Sequence, residues 1–121
     1  MIILDANIIL RYLLDDNETL ANQAEDYINR NDAIVTVEVI AEVVYVLKGI
    51  YALERERICN ILKSFLKIVS CRQKNAILVA LDTYRDHHLD FVDCVLYAYH
   101  LVHHCEIATF DKKLNRLMHS T

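Results

Sequence analysis

The chain contains almost no glycine and no proline or tryptophan. Gly49 is the single glycine among 121 residues. A phosphate-binding P-loop and a dinucleotide-binding fingerprint each need several closely spaced glycines, because glycine lets the backbone approach a phosphate. The sequence therefore excludes both kinds of nucleotide-binding loop.

The sequence also lacks long hydrophobic runs and a signal peptide. No apolar run reaches the roughly 18 residues that a membrane-spanning helix needs. The N-terminus lacks the pattern of a signal peptide, in which a basic region is followed by an apolar segment and a small-residue cleavage site. The four cysteines show no CxxC spacing, and without an export signal they are expected to be reduced, small apolar residues. These absences predict a cytoplasmic protein with no membrane contact.

A basic excess is missing as well. The formal net charge is −4, whereas a general nucleic-acid binder is normally basic. The apolar content of 55% is above the usual range, which excludes a disordered chain and indicates additional apolar surface for a partner. The length predicts a single domain over residues 1–121 that buries roughly two-thirds of its unfolded surface.

Short β-like runs alternate with longer helical patterns. Strands are predicted at 2–5, 33–36, 68–70 and 106–109, and helices at 7–14, 17–30, 37–49, 54–67, 73–87, 91–104 and from Asp111 onward. Asn17 is placed to cap the second helix. Alternating strands and helices favour a parallel sheet covered on both faces. The predicted class is α/β, a three-layer sandwich with a parallel four- to five-stranded sheet flanked by helices.

Two acids stand at the carboxyl ends of predicted strands, where parallel sheets place their ligand crevice. Asp5 ends the first strand, and Asp111 follows the "EIAT" strand by two residues. Each has an alternative interpretation. Asp5 could be a strand-end hydrogen-bond acceptor, and Asp111 could be an N-cap.

Glu42 lies in "VEVIAEVVYVL", a helical pattern that is apolar nearly all round and is therefore predicted to be buried. A buried carboxylate is costly unless it is paired or bound to a metal. No Lys or Arg stands three or four residues away. One interpretation is that a group outside this helix compensates the negative charge of Glu42. The alternative is that Glu42 meets a distant Arg or is exposed on a narrow polar stripe.

Asp90 and Asp93 open the helix in "LDFVDCVLYAYHL". Asp90 is a good N-cap residue, with Asp93 at the third helical position, close to a capping box. Asp93 can also be explained by the helix dipole. The helix is largely apolar, so its N-terminus is expected to face inward, which favours a functional role for Asp93.

Several carboxylates in one dry cleft would repel one another if all were ionised. A hard divalent cation removes that repulsion, and all-oxygen sites suit Mg²⁺ or Mn²⁺. We therefore expect the acids to bind a metal ion as a set.

The segments "IILDANIILRYLL", "VEVIAEVVYVL", "LDFVDCVLYA" and "ATFDKKL" resemble, in order and spacing, the four acidic motifs of the PIN domain. Within that family, the chain most resembles the small VapC-type toxins of toxin–antitoxin pairs. Asp5, Glu42, Asp93 and Asp111 match the four acids, and Asn7 matches an amide two residues after the first. Asp90 matches an acid that only some members have, and Thr109 matches a hydroxyl residue before the fourth acid.

The resemblance implies a Mg²⁺- or Mn²⁺-dependent endoribonuclease, a homodimer, and inhibition by a cognate antitoxin protein. It implies that Asp5 and Asp93 bind the metal directly, with Glu42 and Asp111 completing the ring. Asn7, Thr109 and Asp90 would lie behind these ligands. A metal-activated water would attack the scissile phosphate and leave a 5′-phosphate and a 3′-hydroxyl. Two departures are Ala6, where members often have Thr or Ser, and a short segment after Asp111.

An RNA substrate also needs cations near the acids. Arg11 lies one helical turn beyond Asn7, while Lys112 and Lys113 follow Asp111 directly. These three are the predicted phosphate contacts. The alternative is that each is a solvated surface cation.

Three other functions compete. The spacing of His100, His103 and His104 beside Cys105 could bind zinc, with His87 and His88 further upstream. "ILDAN" resembles the opening of a haloacid-dehalogenase-like phosphatase, but Asn7 stands where the second aspartate is needed. A catalytically silent PIN-like module for RNA or partner binding is the third.

Overall fold

A computed structural model describes residues 1–120. In chain order the elements are β1 Ile2–Ile3, α1 Ala6–Leu14, α2 Glu18–Ile28, β2 Ala33–Ile34, α3 Val37–Gly49, α4 Arg55–Phe65, α5 Lys74–Asp86, α6 Phe91–His103 and α7 Lys112–His119. They form two compact units, the first covering Met1–Lys74 and the second beginning at Asn75.

The predicted helices are all present. α3 has the predicted bounds, and the ends of the other helices lie within two residues of the predicted positions. Asn17 caps α2 as predicted, since its side-chain oxygen accepts a hydrogen bond from the Leu20 N–H at 3.1 Å. Strong apolar periodicity and identifiable caps explain why sequence reasoning succeeds for these elements.

The sheet is smaller than predicted. β1 and β2 pair in parallel, with Ile2 opposite Ala33 and Ile3 opposite Ile34. The predicted third strand is reduced to one parallel bridge between Ile34 and Ser70. The reason is local, because a turn continues from α4 through Lys67 and Ile68, whose N–H groups donate to Ser64 and Phe65 carbonyls.

The predicted fourth strand at 106–109 is wrong, since the structure assigns no strand between residues 104 and 111. Thr109 makes local bonds instead of a ladder. Its carbonyl accepts from Asn115 Nδ2 at 2.9 Å, and its hydroxyl accepts from the Asp111 N–H at 3.0 Å. Over residues 1–120, therefore, the chain forms a two-stranded parallel sheet and not four or five strands. The three-layer arrangement stays a prediction.

Each unit has an apolar core of helices. In the first, α1 packs against α2 and α3, and α3 packs against α4. In the second, the Tyr84 and Phe91 rings pack edge-to-face, with their centroids 5.8 Å apart, and join α5 to α6. α7 packs against α6 through Tyr97, Leu114 and Met118. This last contact fixes the start of α7, where Asp111 stands.

No helix within residues 1–120 is long and apolar enough to cross a membrane. The four cysteines all lie in this range and form no disulfide; Cys59 and Cys94 are buried, and Cys105 is exposed.

Candidate functional site

In the second unit, two of the predicted acids, Asp90 and Asp111, act on a third, Asp93. Asp93 lies in the first turn of α6 and is partly buried. Burial raises the pKa of its carboxyl group, and the negative charges of Asp111 and Asp90 raise this pKa further. The fold thus holds like charges close enough to oppose the ionisation of Asp93.

Asp90 is the N-cap residue of α6, but its side chain makes no capping hydrogen bond. The predicted capping interaction is therefore wrong for this side chain, although the position is right. The carboxylate is exposed, and the extended backbone of Asp90 at φ −62° and ψ 152° starts the helix without it. Asp90 remains available as a charge beside Asp93.

Asp111 caps α7, because its Oδ1 accepts the Leu114 N–H at 2.8 Å. The N-cap interpretation is thus confirmed, and it leaves Oδ2 for another partner. Thr109 supports Asp111 through the backbone, since its hydroxyl accepts the Asp111 N–H. Thr109 therefore positions the Asp111 main chain, whereas the resemblance implied a contact behind the metal ligands.

Asp5 and Asn7 lie in the first unit, where β1 leads into α1. Asp5 is the N-cap residue of α1 with extended backbone and makes no side-chain capping bond. Its backbone carbonyl accepts from Ile9 N–H at 3.3 Å, and the side chains of both residues are exposed. Asp5 therefore stands at the strand-to-helix junction that the sequence predicted, with its carboxylate open to solvent.

The predicted burial of Glu42 is wrong, because Glu42 is exposed. It belongs to a stripe on α3 with Glu38 and Tyr45, which lie at positions i−4 and i+3. Tyr45 is 77% exposed, so a pattern that is apolar nearly all round still contains a solvent-facing stripe. The polar-stripe alternative is the one that the structure bears out, while the proposed role of Glu42 as a ligand does not require burial.

The predicted phosphate contacts differ in their surroundings. Arg11 pairs with Asp16 at 3.0 Å within the first unit, so its guanidinium is partly engaged. Lys112 and Lys113 are exposed at the start of α7. Lys113 also lines a pocket of about 420 Å³ together with His87, His88 and Arg116.

Sequence reasoning missed this pocket as a cationic site. Arg116 follows Lys113 by one helical turn, and that spacing was a readable signal. The two histidines come from the turn between α5 and α6, and no sequence pattern connects residue 87 with residue 113. The pocket suits an anion such as a phosphate group.

The donor chemistry of the acids fits a hard divalent cation, since carboxylate oxygens are its preferred ligands and a cation would relieve the repulsion at Asp93. The side chains do not form a closed coordination shell. Within residues 1–120, no three His, Cys, Asp or Glu side chains meet closely enough to hold a metal ion. The same finding leaves the zinc interpretation without geometric support, and His100 Nδ1 instead contacts the Cys105 carbonyl at 3.0 Å.

The family model described as PIN domain matches residues 2–119. No curated protein and no solved structure matches the chain.

Proposed function

The chain belongs to the PIN domain family, whose members are generally metal-dependent nucleases, and on that premise we propose that it is a Mg²⁺- or Mn²⁺-dependent endoribonuclease. The observation that carries the proposal is the raised pKa of Asp93 beside Asp90 and Asp111. Such an energetically unfavourable set of acids is typical of a functional site.

Asp93 and Asp111 are the proposed ligands in the second unit, and Asp5 and Glu42 are the further ligands that the family motifs supply. Bound there, the metal would lower the pKa of a water and offset negative charge on the scissile phosphate. A carboxylate of the set would orient or deprotonate that water. The expected products carry a 5′-phosphate and a 3′-hydroxyl. Lys113 and Arg116 would hold a neighbouring phosphate.

We also propose that the chain is the cytoplasmic toxin of a toxin–antitoxin pair and that it acts as a homodimer. Large apolar side chains at the surface support two protein interfaces. Among the apolar side chains that are at least half exposed are Met1, Ile3, Tyr45, Ile50, Ile68 and Val92. Growth arrest when the chain is expressed alone, relieved by an antitoxin partner, is the expected behaviour.

A second candidate function follows from the open arrangement of the acids. Because the side chains within residues 1–120 form no closed metal shell, the chain could serve as a silent RNA-binding or partner-binding module. This candidate differs from the first in one measurable respect, since it binds RNA without cutting it.

The test compares cleavage of end-labelled RNA by the unaltered chain, Asp93→Asn and Asp111→Asn. Asparagine also caps helices well, so Asp111→Asn should preserve α7 while removing a negative charge. We expect cleavage in Mg²⁺ or Mn²⁺, none in EDTA, and a loss of at least about 100-fold in either variant. Asp26→Asn, which changes an exposed acid of α2, is the matched control and should cleave normally.

Isothermal titration with Mn²⁺ provides the binding measurement. Weaker binding by Asp93→Asn than by Asp26→Asn supports the assigned ligands. Cleavage that persists in EDTA or in Asp93→Asn would overturn the proposed mechanism, and RNA binding without any cleavage would establish the silent module.

A further inference from the structure

Phe110 is fully exposed between the two residues that shape the start of α7. Its chain neighbours are Thr109 and Asp111, so its ring stands next to the acidic set in the covalent chain. No core role explains this ring, because the α6–α7 core is formed by Tyr97, Leu114 and Met118.

The backbone on both sides of Phe110 is held by three hydrogen bonds. The Asp111 N–H donates to Thr109 Oγ1 at 3.0 Å, Asn115 Nδ2 donates to the Thr109 carbonyl at 2.9 Å, and the Leu114 N–H donates to Asp111 Oδ1 at 2.8 Å. The exposed ring is therefore presented from a fixed backbone, and a ligand that covers it has little backbone order to induce.

Phe110 also lines a pocket of about 470 Å³, whose wall is partly apolar, through Ile107, Ala108 and Met118, and also carries several hydrogen-bonding side chains. Glu106 contributes a carboxylate. His100 and His119 contact the backbone carbonyls of Cys105 and Asn115 through Nδ1, which leaves Nε2 of each ring for another partner. Asn115 uses its Nδ2 on Thr109, which leaves its side-chain oxygen.

We propose that Phe110 is a stacking platform for an unpaired RNA base, and that the adjoining pocket accepts hydrogens from an exocyclic amino group of that base. This inference rests on the proposed nuclease function and names a feature of its substrate. Aromatic side chains bind unpaired bases by stacking. Adenine, cytosine and guanine carry such an amino group, and uracil does not.

A protein partner fits this surface less well than a base does. A docking patch for a protein needs contiguous apolar area. Here the apolar lining of Ile107, Ala108 and Met118 is interrupted by Glu106, Asn115 and two histidines. The flat ring can stack on a base, and the carboxylate of Glu106 and the side-chain oxygen of Asn115 can accept hydrogens from its amino group.

The absence of tryptophan from the chain allows a direct test. Phe110→Trp keeps a stacking ring and introduces the only indole, whose fluorescence should be quenched when a base stacks on it. The probes are oligo(A), oligo(C) and oligo(U) of equal length, in EDTA so that no cleavage occurs. We expect quenching and binding to be stronger with oligo(A) and oligo(C) than with oligo(U).

Phe110→Leu keeps apolar area but removes the aromatic face. We expect it to weaken binding of oligo(A) by about 5- to 100-fold, whereas Phe110→Trp should bind like the unaltered chain. Tyr51→Leu, at another exposed aromatic, is the matched control and should bind normally.

The outcomes separate this inference from the nuclease proposal. RNA binding without quenching, or unchanged binding by Phe110→Leu, would overturn the stacking platform alone. Equal quenching by oligo(U) would overturn the recognition of an amino group. Failure of the unaltered chain to bind any RNA would overturn both the platform and the proposed function.

Discussion

Two carboxylates at helix starts show opposite electrostatic behaviour. Glu38 lies at the start of α3, where a hydrogen bond from Thr36 and one from its own backbone N–H lower the pKa of its carboxyl group. Asp93 lies at the equivalent end of α6, where a helix dipole would also favour the charged form. Burial, Asp111 and Asp90 reverse that preference and raise its pKa. The ionised carboxylate of Asp93 therefore lowers the stability of the fold, and a functional role would explain why the chain has an acid at this position.

Asp93→Asn should raise the melting temperature at neutral pH without divalent metal. Because the folded-state pKa of Asp93 is above its ordinary value of 3.8, ionisation costs folding free energy. That cost develops as pH rises through the folded-state pKa and vanishes below about 3.8. Because solvent screens a partly exposed group, we expect a gain of only about 1 to 4 °C at pH 7. The gain should disappear at low pH, where the carboxyl group is protonated. Thermal unfolding followed across pH measures it.

Glu38→Gln serves as the control of opposite sign. Its carboxyl pKa is lowered in the folded state, so the ionised group adds stability above the ordinary value of 4.5, and this stability is lost as pH falls through the folded-state pKa. The variant should melt lower than the unaltered chain at pH 7. A lower melting temperature for Asp93→Asn at pH 7 would contradict the repulsion inferred at Asp93.

Among residues 1–120, three residues other than glycine have a left-handed backbone conformation, and two of them end helices. Asp15, Ala52 and His104 have φ values of 51°, 54° and 56°. Asp15 and His104 end α1 and α6, and Ala52 lies in the connection between α3 and α4. Aspartate tolerates this conformation better than most residues, whereas alanine is strained there.

Ala52→Gly should therefore stabilise the fold by about 1 kcal/mol, because glycine adopts a positive φ without a Cβ clash. Urea unfolding gives the change in free energy. The same substitution in a helix, Ala41→Gly within α3, should cost about 1 kcal/mol. Equal effects of the two substitutions would show that backbone conformation at residue 52 is not the cause.

The α6–α7 contact carries the residues that hold Asp111. Leu114 is completely buried, and its backbone N–H is bound by the Asp111 side chain. Leu114→Ala should cost about 2–5 kcal/mol in urea unfolding through the cavity that it leaves. Leu101→Ala, at a leucine of α6 that is 38% exposed, is the control and should cost well under half as much. A small effect at Leu114 would mean that α7 contributes little to the cooperative fold.

At the scale of the whole molecule, helices could be predicted from the sequence and strands only in part. The pattern of α3 predicts both its ends, because apolar periodicity over many residues is a strong signal. β1 and β2 are each two residues long, too short for any periodicity to set their ends. Residues 106–109 include the strand-forming Ile107 and Thr109, but local bonds from Asn115 and Asp111 take the polar groups of Thr109.

The candidate site could be predicted where it depends on local chemistry. Asp111 was identifiable as a cap, and the first turn of α6 was identifiable as acidic. The exposure of Glu42 could not be predicted from a pattern that is apolar nearly all round, because the exposed Tyr45 counts as apolar in that pattern. Tertiary structure alone brings His87 and His88 to the pocket of Lys113 and Arg116, so no spacing rule could have found them.

A chain of net charge −4 needs a local cationic surface to bind RNA, and the pocket of Lys113 and Arg116 is a local cluster of this kind. Each phosphate contact to single-stranded RNA contributes about 0.7 to the slope of log affinity against log salt. Lys113→Ala and Arg116→Ala should each reduce that slope by about 0.7 and weaken binding similarly for RNAs of different sequence. Arg57→Ala, at an exposed cation of α4, should leave the slope unchanged. Filter binding of RNA in EDTA at several salt concentrations measures the slopes. An unchanged slope in both pocket variants would place the phosphate contacts elsewhere on the protein.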